Sequence, residues 1–321
     1  MELAVIPGDV LRGIDVGIIV RSVEEGFLRG DARAEPRIIA DMGRGSALVM
    51  AARDPSYLAV KYIGVYPGNA ALGLPTANSA VLLAESSTGM PVALIDGSTL
   101  TAYRTAAASA VVAKYLAPGG PLTVGFVGSG LQARAHAAAL RHVLGPRISR
   151  VLVYDVARDR AEALAGELRG SMAPEAAAAA DPDALVASSD LVVAATTSRD
   201  PVFRGDVLHD GRSRLIISIG WLDANSEEVD RETVRMSSLV AVDTEAALAE
   251  SAEIRRALES GDLDRGRIIT LAELVRRARG GWSGPPPGIS LYKGVGTALE
   301  DLFAAEAVYI SLRGSVGRVR L

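Results

Sequence analysis

The 321-residue sequence has no cysteine, which excludes disulfides, zinc thiolates and thiol nucleophiles. Lysine is nearly absent too: of 34 basic residues only Lys61, Lys114 and Lys293 are lysines. Aromatic residues make up 4%, and no apolar run approaches the roughly 18 residues of a membrane span. The opening segment MELAVIPGDVLRGIDVG lacks a basic region followed by an apolar core and a cleavage site, so the expected compartment is the cytoplasm. A net charge of −4 gives no sign of a nucleic-acid surface. What is plentiful is hydrophobic residues, 49% of the chain, enough to bury a large core in two domains or in one domain with an elaborate insertion.

The most informative stretch runs from Pro121 to Asp155. An apolar run, Leu122 to Val127, meets Gly128-Ser-Gly130-Leu131-Gln132-Ala133. A helix-favouring segment follows to about Leu144, and a second apolar run, Val151 to Tyr154, ends on Asp155. Strand, glycine turn, helix, strand and acid is the order of a dinucleotide-binding unit. Gly128 permits the tight turn, Gly130 lets backbone approach a pyrophosphate, and Ala133 keeps helix and strand close. The first amides of the helix would face the phosphates. The alternative is a glycine turn in another kind of α/β protein. Asp155 can accept from a ribose hydroxyl and would repel a 2′-phosphate, favouring NAD, while nearby Arg158 leaves NADP open.

Ahead of this unit the pattern changes. Residues 13–29 have helical periodicity. Pro36–Ala40, Ser46–Ala52, Tyr57–Val65, Ala80–Ala84 and Val92–Ile95 then read as short strands in succession, the mark of a separate α+β domain. Lys61 lies inside an apolar strand, where it is paired, cleft-facing or lowered in pKa, unless it snorkels at a sheet edge. Arg37, read as lying on a neighbouring strand, could grip a carboxylate in two-pronged fashion. Ser98–Leu116 reads as a helix with Arg104 near its start, either an anion site facing the pyrophosphate or a solvated side chain.

After Asp155 the doubly wound pattern continues. Leu191–Ala195 ends in Thr196, Leu215–Ile219 (with Ser218) ends in Gly220, and Leu239–Val242 ends in Asp243. Ile289–Gly296 is a last strand carrying Lys293 at its end. Strand ends of such a sheet open on the ligand crevice, placing Thr196, Ser218, Ile219 and Lys293 there. Glu175–Ala180 reads as helix-friendly low complexity, and Thr297–Leu312 as a closing helix that packs on the first domain.

Several of these segments together resemble the ornithine cyclodeaminase/mu-crystallin family over nearly the whole chain. The carriers are Pro36-Arg37, Lys61-Tyr62, Asn69 with Gly73–Thr76, Thr88–Pro91, Leu100–Ala107, Gly128–Ala133 and Tyr292–Asp301. The resemblance implies a homodimer with a Rossmann domain (118–296) inserted in an α+β substrate and dimerisation domain (1–117 plus 297–321). It also implies NAD or NADP as cofactor and a small amino or imino acid as substrate. Arg37 and Lys61 would bind the substrate carboxylate, with Lys61 also moving the proton and Gly294 next to the substrate. Thr76, Arg104, Leu131, Gln132, Asp155, Thr196, Ile216–Ile219 and Lys293 would contact the cofactor.

Two departures bear on activity. Ornithine-cyclising relatives carry an acid where Leu48 stands, and a catalytic acid where Leu222 stands, with Asp223 one residue later able to replace it. A second ammonium on the substrate would then lack a partner, at a cost of several kcal/mol if desolvated. The leading expectation is therefore an NAD(P)-dependent oxidoreductase at the C–N bond of a small amino or imino acid. The rivals are an ornithine cyclodeaminase that recycles its NAD and a non-catalytic, crystallin-like binder.

Overall fold

A computed structural model describes residues 2–220 and 225–320, and the chain divides into two compact units, 1–107 with 297–321, and 108–296. The division falls within the helix Gly97–Leu116, ahead of the expected boundary at 117.

The first unit is built on a mostly antiparallel sheet. Its strands are β1 (Glu2–Ile6), β2 (Arg33–Ala34), β3 (Ile38–Asp41), β4 (Ser46–Arg53), β5 (Tyr57–Val65), β6 (Ala77–Glu85) and β7 (Pro91–Asp96). The second unit holds β8 (Leu122–Val127), β9 (Ile148–Tyr154), β10 (Glu175–Ala178), β11 (Leu191–Ala194), β12 (Arg214–Ser218), β13 (Ser237–Val242), β14 (Ile268–Thr270) and β15 (Ile289–Lys293). Finally β16 (Arg318–Arg320) returns to pair with β1 in the first.

In the first unit the order is β16-β1-β7-β6-β5-β4-β2, with β3 also on β4. The strands alternate inward and outward residues, as a one-sided sheet requires. Lys61, Val81 and Ile95 point in and are buried, whereas Tyr62, Leu82 and Leu94 point out. The helix Ala298–Leu312 covers the inner face and the helix Val16–Arg29 packs on that helix, with Phe27 and Phe303 meeting edge to face at 5.5 Å. Gly26 is small because a Cβ there would run into the Phe303 ring.

In the second unit the sheet is wholly parallel, ordered β10-β9-β8-β11-β12-β15-β13-β14. Its strands are almost continuous apolar runs because both faces are covered. Val192, Ile216, Val240 and Leu291 are fully buried, each removal from water contributing roughly 1.5–3 kcal/mol. The chain reverses its direction of winding between β8 and β11, where ligand crevices open in such sheets. At the opposite end buried Arg214 is satisfied by both Asp210 oxygens at 2.6 Å and by the carbonyls of Ala187 and Ser189.

Two expectations are corrected. Pro36–Ala40 is not the first strand: β1 precedes it, and β3 begins at Ile38, leaving Arg37 just ahead of the strand. The alanine tract is a strand, β10, not a helix. Pro174 and Pro182 bracket too few residues for a stable helix, and parallel pairing with β9 buries Ala176 beneath the helix Arg158–Leu168. β14 and β16, too short to carry a pattern, were not read from the sequence at all.

Candidate active site

In the second unit a cavity of about 540 Å³ opens at the winding reversal, lined among others by Gly128, Gly130, Asp155, Arg160 and Thr196. Gly128 sits at φ +98°, and a Cβ would stand 2.5 Å from the Ala195 carbonyl oxygen, so β8 can leave the sheet here only through glycine. Gly130 differs: its backbone is extended and a Cβ would meet nothing within 4 Å, leaving open space beside it. It starts the 14-residue helix Leu131–Leu144, which no side chain caps, so its first amides remain for an anion. Leu131 is half exposed and Gln132 half-buried at this helix start.

Asp155 ends β9 on the cavity wall. Its carboxylate accepts from the Ser129 hydroxyl at 2.6 Å, the Ser129 amide at 3.0 Å and the Ala157 amide at 3.0 Å. Burial works against its charge, but these donors and nearby Arg160 hold its pKa below the usual carboxylate range. Arg158 instead pairs with Glu162 on an exposed helix face, so the basic group beside Asp155 in the cavity is Arg160.

The strand ends across the cleft are tied by a residue that no sequence motif marked. Glu228 is buried, and each of its oxygens takes two donors. One accepts from the Thr196 amide (2.7 Å) and hydroxyl (2.9 Å), the other from the Ser218 hydroxyl (2.9 Å) and the Gly220 amide (2.7 Å). Beside it, Ile219 donates its amide to Ala194 and Gly294 donates to Ser218, while buried Lys293 donates to the Gly220 carbonyl at 2.7 Å and the Ser218 hydroxyl at 3.2 Å. The same ammonium pairs with buried Glu253 at 2.7 Å. Thr196, Ser218, Ile219, Lys293 and Gly294 thus stand together on the ends of β11, β12 and β15. Asp223 lies outside the described residues.

His136, also unmarked by sequence, is buried in the Leu131–Leu144 helix. Its Nδ1 donates to the Gln132 carbonyl at 2.8 Å, so Nε2 accepts from the Ser109 hydroxyl at 2.9 Å. Burial pushes its pKa down to about 4, and a neutral imidazole pinning a helix is the consequence.

In the first unit the sequence-marked cations Lys61 and Arg104 meet over one carboxylate. Lys61 is fully buried, with Met50 and Val81 beside it on β4 and β6. Its ammonium lies 2.7 and 2.6 Å from the two oxygens of Asp301. Arg104 donates Nε to Asp301 at 3.0 Å and a terminal nitrogen to Glu300 at 2.5 Å. Two cations and two anions therefore cancel in a dry interior. Desolvation and the Arg104 charge outweigh the Asp301 contacts and lower the Lys61 pKa to about 8. Leu48, two residues before Met50, is buried on the same face as Lys61, so no carboxylate stands at that place. Arg37 is half-buried between β2 and β3, and Thr76 is exposed just before β6.

Residues 10–315 match the profile of the Ornithine cyclodeaminase/mu-crystallin family. The chain belongs to this family. An alanine dehydrogenase of Archaeoglobus fulgidus is 30% identical over 296 residues, 90% of this chain and 88% of that one. Among solved structures, a Thermococcus litoralis Delta(1)-pyrroline-2-carboxylate reductase in complex with NADH and L-proline superposes with a TM-score of 0.89. It is 33% identical and covers 99% of this chain and 100% of its own. An archaeal alanine dehydrogenase dimer with bound NAD gives 0.88 at 26% identity over 100% of both chains. The glycine turn and Lys61 are legible in the sequence. Glu228 carries no sequence signal, and Glu300 and Asp301, though inside the Tyr292–Asp301 stretch, have no role legible there, because these acids act only through contacts far away in sequence.

Proposed function

We propose that this chain is an NADH-dependent reductase of small cyclic α-imino acids, working at the C–N bond as the reductase and dehydrogenase relatives do. The observation that carries the reading is Lys61: a buried ammonium of pKa about 8 holds a proton near neutral pH yet can release it. The cavity at Gly128 and Gly130 fits a dinucleotide. The helix start at Leu131 would receive the pyrophosphate, Asp155 a ribose hydroxyl, and Thr196 and Ser218 the remaining polar edge. When bound, NADH supplies the hydride. Lys61 gives a proton to the substrate nitrogen and regains one from water, while Arg37 orients the substrate carboxylate. Leu48 supports a substrate without a second ammonium, and so a reductase over a lyase acting on a diamino acid.

The outward row Val60, Leu82 and Leu94, in register across β5, β6 and β7 with Tyr62 beside it, is an apolar sheet face suited to a second copy, supporting a homodimer. The expected compartment is the cytoplasm, where reduced nicotinamide is regenerated.

Three parallel assays test the reading. The enzyme is given Δ1-pyrroline-2-carboxylate with NADH, pyruvate and ammonium with NADH, and ornithine with catalytic NAD. Stoichiometric NADH loss with the cyclic imine, abolished by Lys61→Arg while NADH still binds, is expected. Proline and ammonia from ornithine without net NADH change would make the chain a lyase. Tight NADH binding with no turnover in any assay would make it a binder.

A further inference from the structure

We infer that Asp301, with Arg104 and Glu300 behind it, is a positioning residue that orients the Lys61 ammonium and fixes its charge for proton transfer. The inference rests on the reductase reading above and extends it to residues with no contact to substrate in that scheme.

The geometry is unusual for an ion pair that only glues a helix to a sheet. One Asp301 oxygen accepts from both Lys61, at 2.7 Å, and Arg104 Nε, at 3.0 Å, and the other lies 2.6 Å from the Lys61 ammonium as a charge contact. The Lys61 side chain is 0% exposed and Asp301 2%, so water does not screen these charges. In register with Lys61, β4 and β6 carry the apolar Met50 and Val81, while the helix Ala298–Leu312 brings Glu300 and Asp301 and the helix Gly97–Leu116 brings Arg104. Asp301 favours the protonated lysine, Arg104 opposes it, and Glu300 moderates Arg104. A mere structural clasp would serve as well with one acid and one base; this arrangement balances a proton carrier between two opposing charges. In the reaction the hydride brings two electrons to the imine carbon and one proton passes from Lys61 to the imine nitrogen.

The scarcity of lysine gives a direct readout. Protein labelled with [ε-13C]lysine has only three such carbons, and Lys61→Arg assigns that of Lys61. Asp301→Asn should lower the Lys61 titration midpoint by at least one pH unit, and Arg104→Met should raise it, because the first removes a stabilising anion and the second an opposing cation. Asp301→Asn should also lower kcat for imine reduction at least tenfold with NADH affinity within threefold, and Asp301→Glu should recover part of the rate. If Asp301→Asn does not fold, Glu300→Gln substitutes for it and should lower the midpoint in the same sense. Midpoints that stay fixed, that move the same way in the Asp301 and Arg104 variants, or that move without any change in kcat would overturn the inference. A wild type inert toward every imino acid overturns both it and the functional reading. The two failures are told apart because the midpoints are measured without substrate.

Discussion

Replacing Glu228 by glutamine changes one atom's identity in the second unit and should be costly. The carboxylate receives four donors, two on each oxygen, and two of them are backbone amides, of Thr196 and Gly220, that cannot turn away. Glutamine offers one acceptor oxygen and one NH2 group. Whichever way the amide is flipped, its NH2 faces a backbone N–H. A hydroxyl on that side, from Thr196 or Ser218, can rotate to accept, but the half-buried amide is left without its partner. An orphaned buried donor costs about 1–3 kcal/mol, and the charge-assisted bonds lost with the carboxylate add a similar amount. The expected destabilisation is roughly 3–5 kcal/mol, a large part of the 5–15 kcal/mol typical of a folded domain. Urea unfolding followed by tryptophan fluorescence reads it directly, since the two tryptophans, Trp221 and Trp282, both fall between positions 108 and 296 of the sequence. NADH affinity should fall in parallel, because Thr196 and Gly220 lie at the strand ends that edge the cleft. A loss below 1 kcal/mol with unchanged affinity would refute the view that this carboxylate organises the strand ends.

Further outcomes are expected. Gly128→Ala places a methyl 2.5 Å from the Ala195 carbonyl at φ +98°, so NADH affinity, read by nucleotide fluorescence, should fall at least ~30-fold, about 2 kcal/mol. With a Lys61 pKa of about 8, reductive kcat/KM should decline as pH rises through that value because the donor is lost, while the oxidative direction should rise through it because the base is gained; coincident declines would rule out Lys61 as the group titrating. Asp155→Asn removes the charge that repels a 2′-phosphate while Arg160 remains, and should shift the NADPH to NADH preference at least tenfold towards NADPH in steady-state assays.

The parts legible in the sequence were those whose physics is local. Gly128 and Gly130 are dictated by backbone approach within a few residues, and the buried parallel strands declare themselves as apolar runs. The alanine tract at 175–178 was misread because alanine's intrinsic preference is small and pairing with β9 overrides it. Arg104 was read from its place near a helix start, whereas what engages it comes from residues 196 and 197 positions away. Glu228 looks like any surface acid until the fold removes it from water and supplies its donors, and Asp301, although it ends a marked stretch, shows its partner only in the fold.

The counter-ion of Lys61 is 240 positions downstream, and the whole 108–296 unit is synthesised between them. A chain emerging from the ribosome therefore carries an uncompensated cation in the core of its first sheet until the last helix arrives. The inserted unit, whose contacts are all encoded by then, can mature first, before the two ends of the polypeptide pair with one another. Loss of a short C-terminal piece would thus disable a lysine near the beginning, so an incomplete product is expected to be inert and unstable rather than partly active.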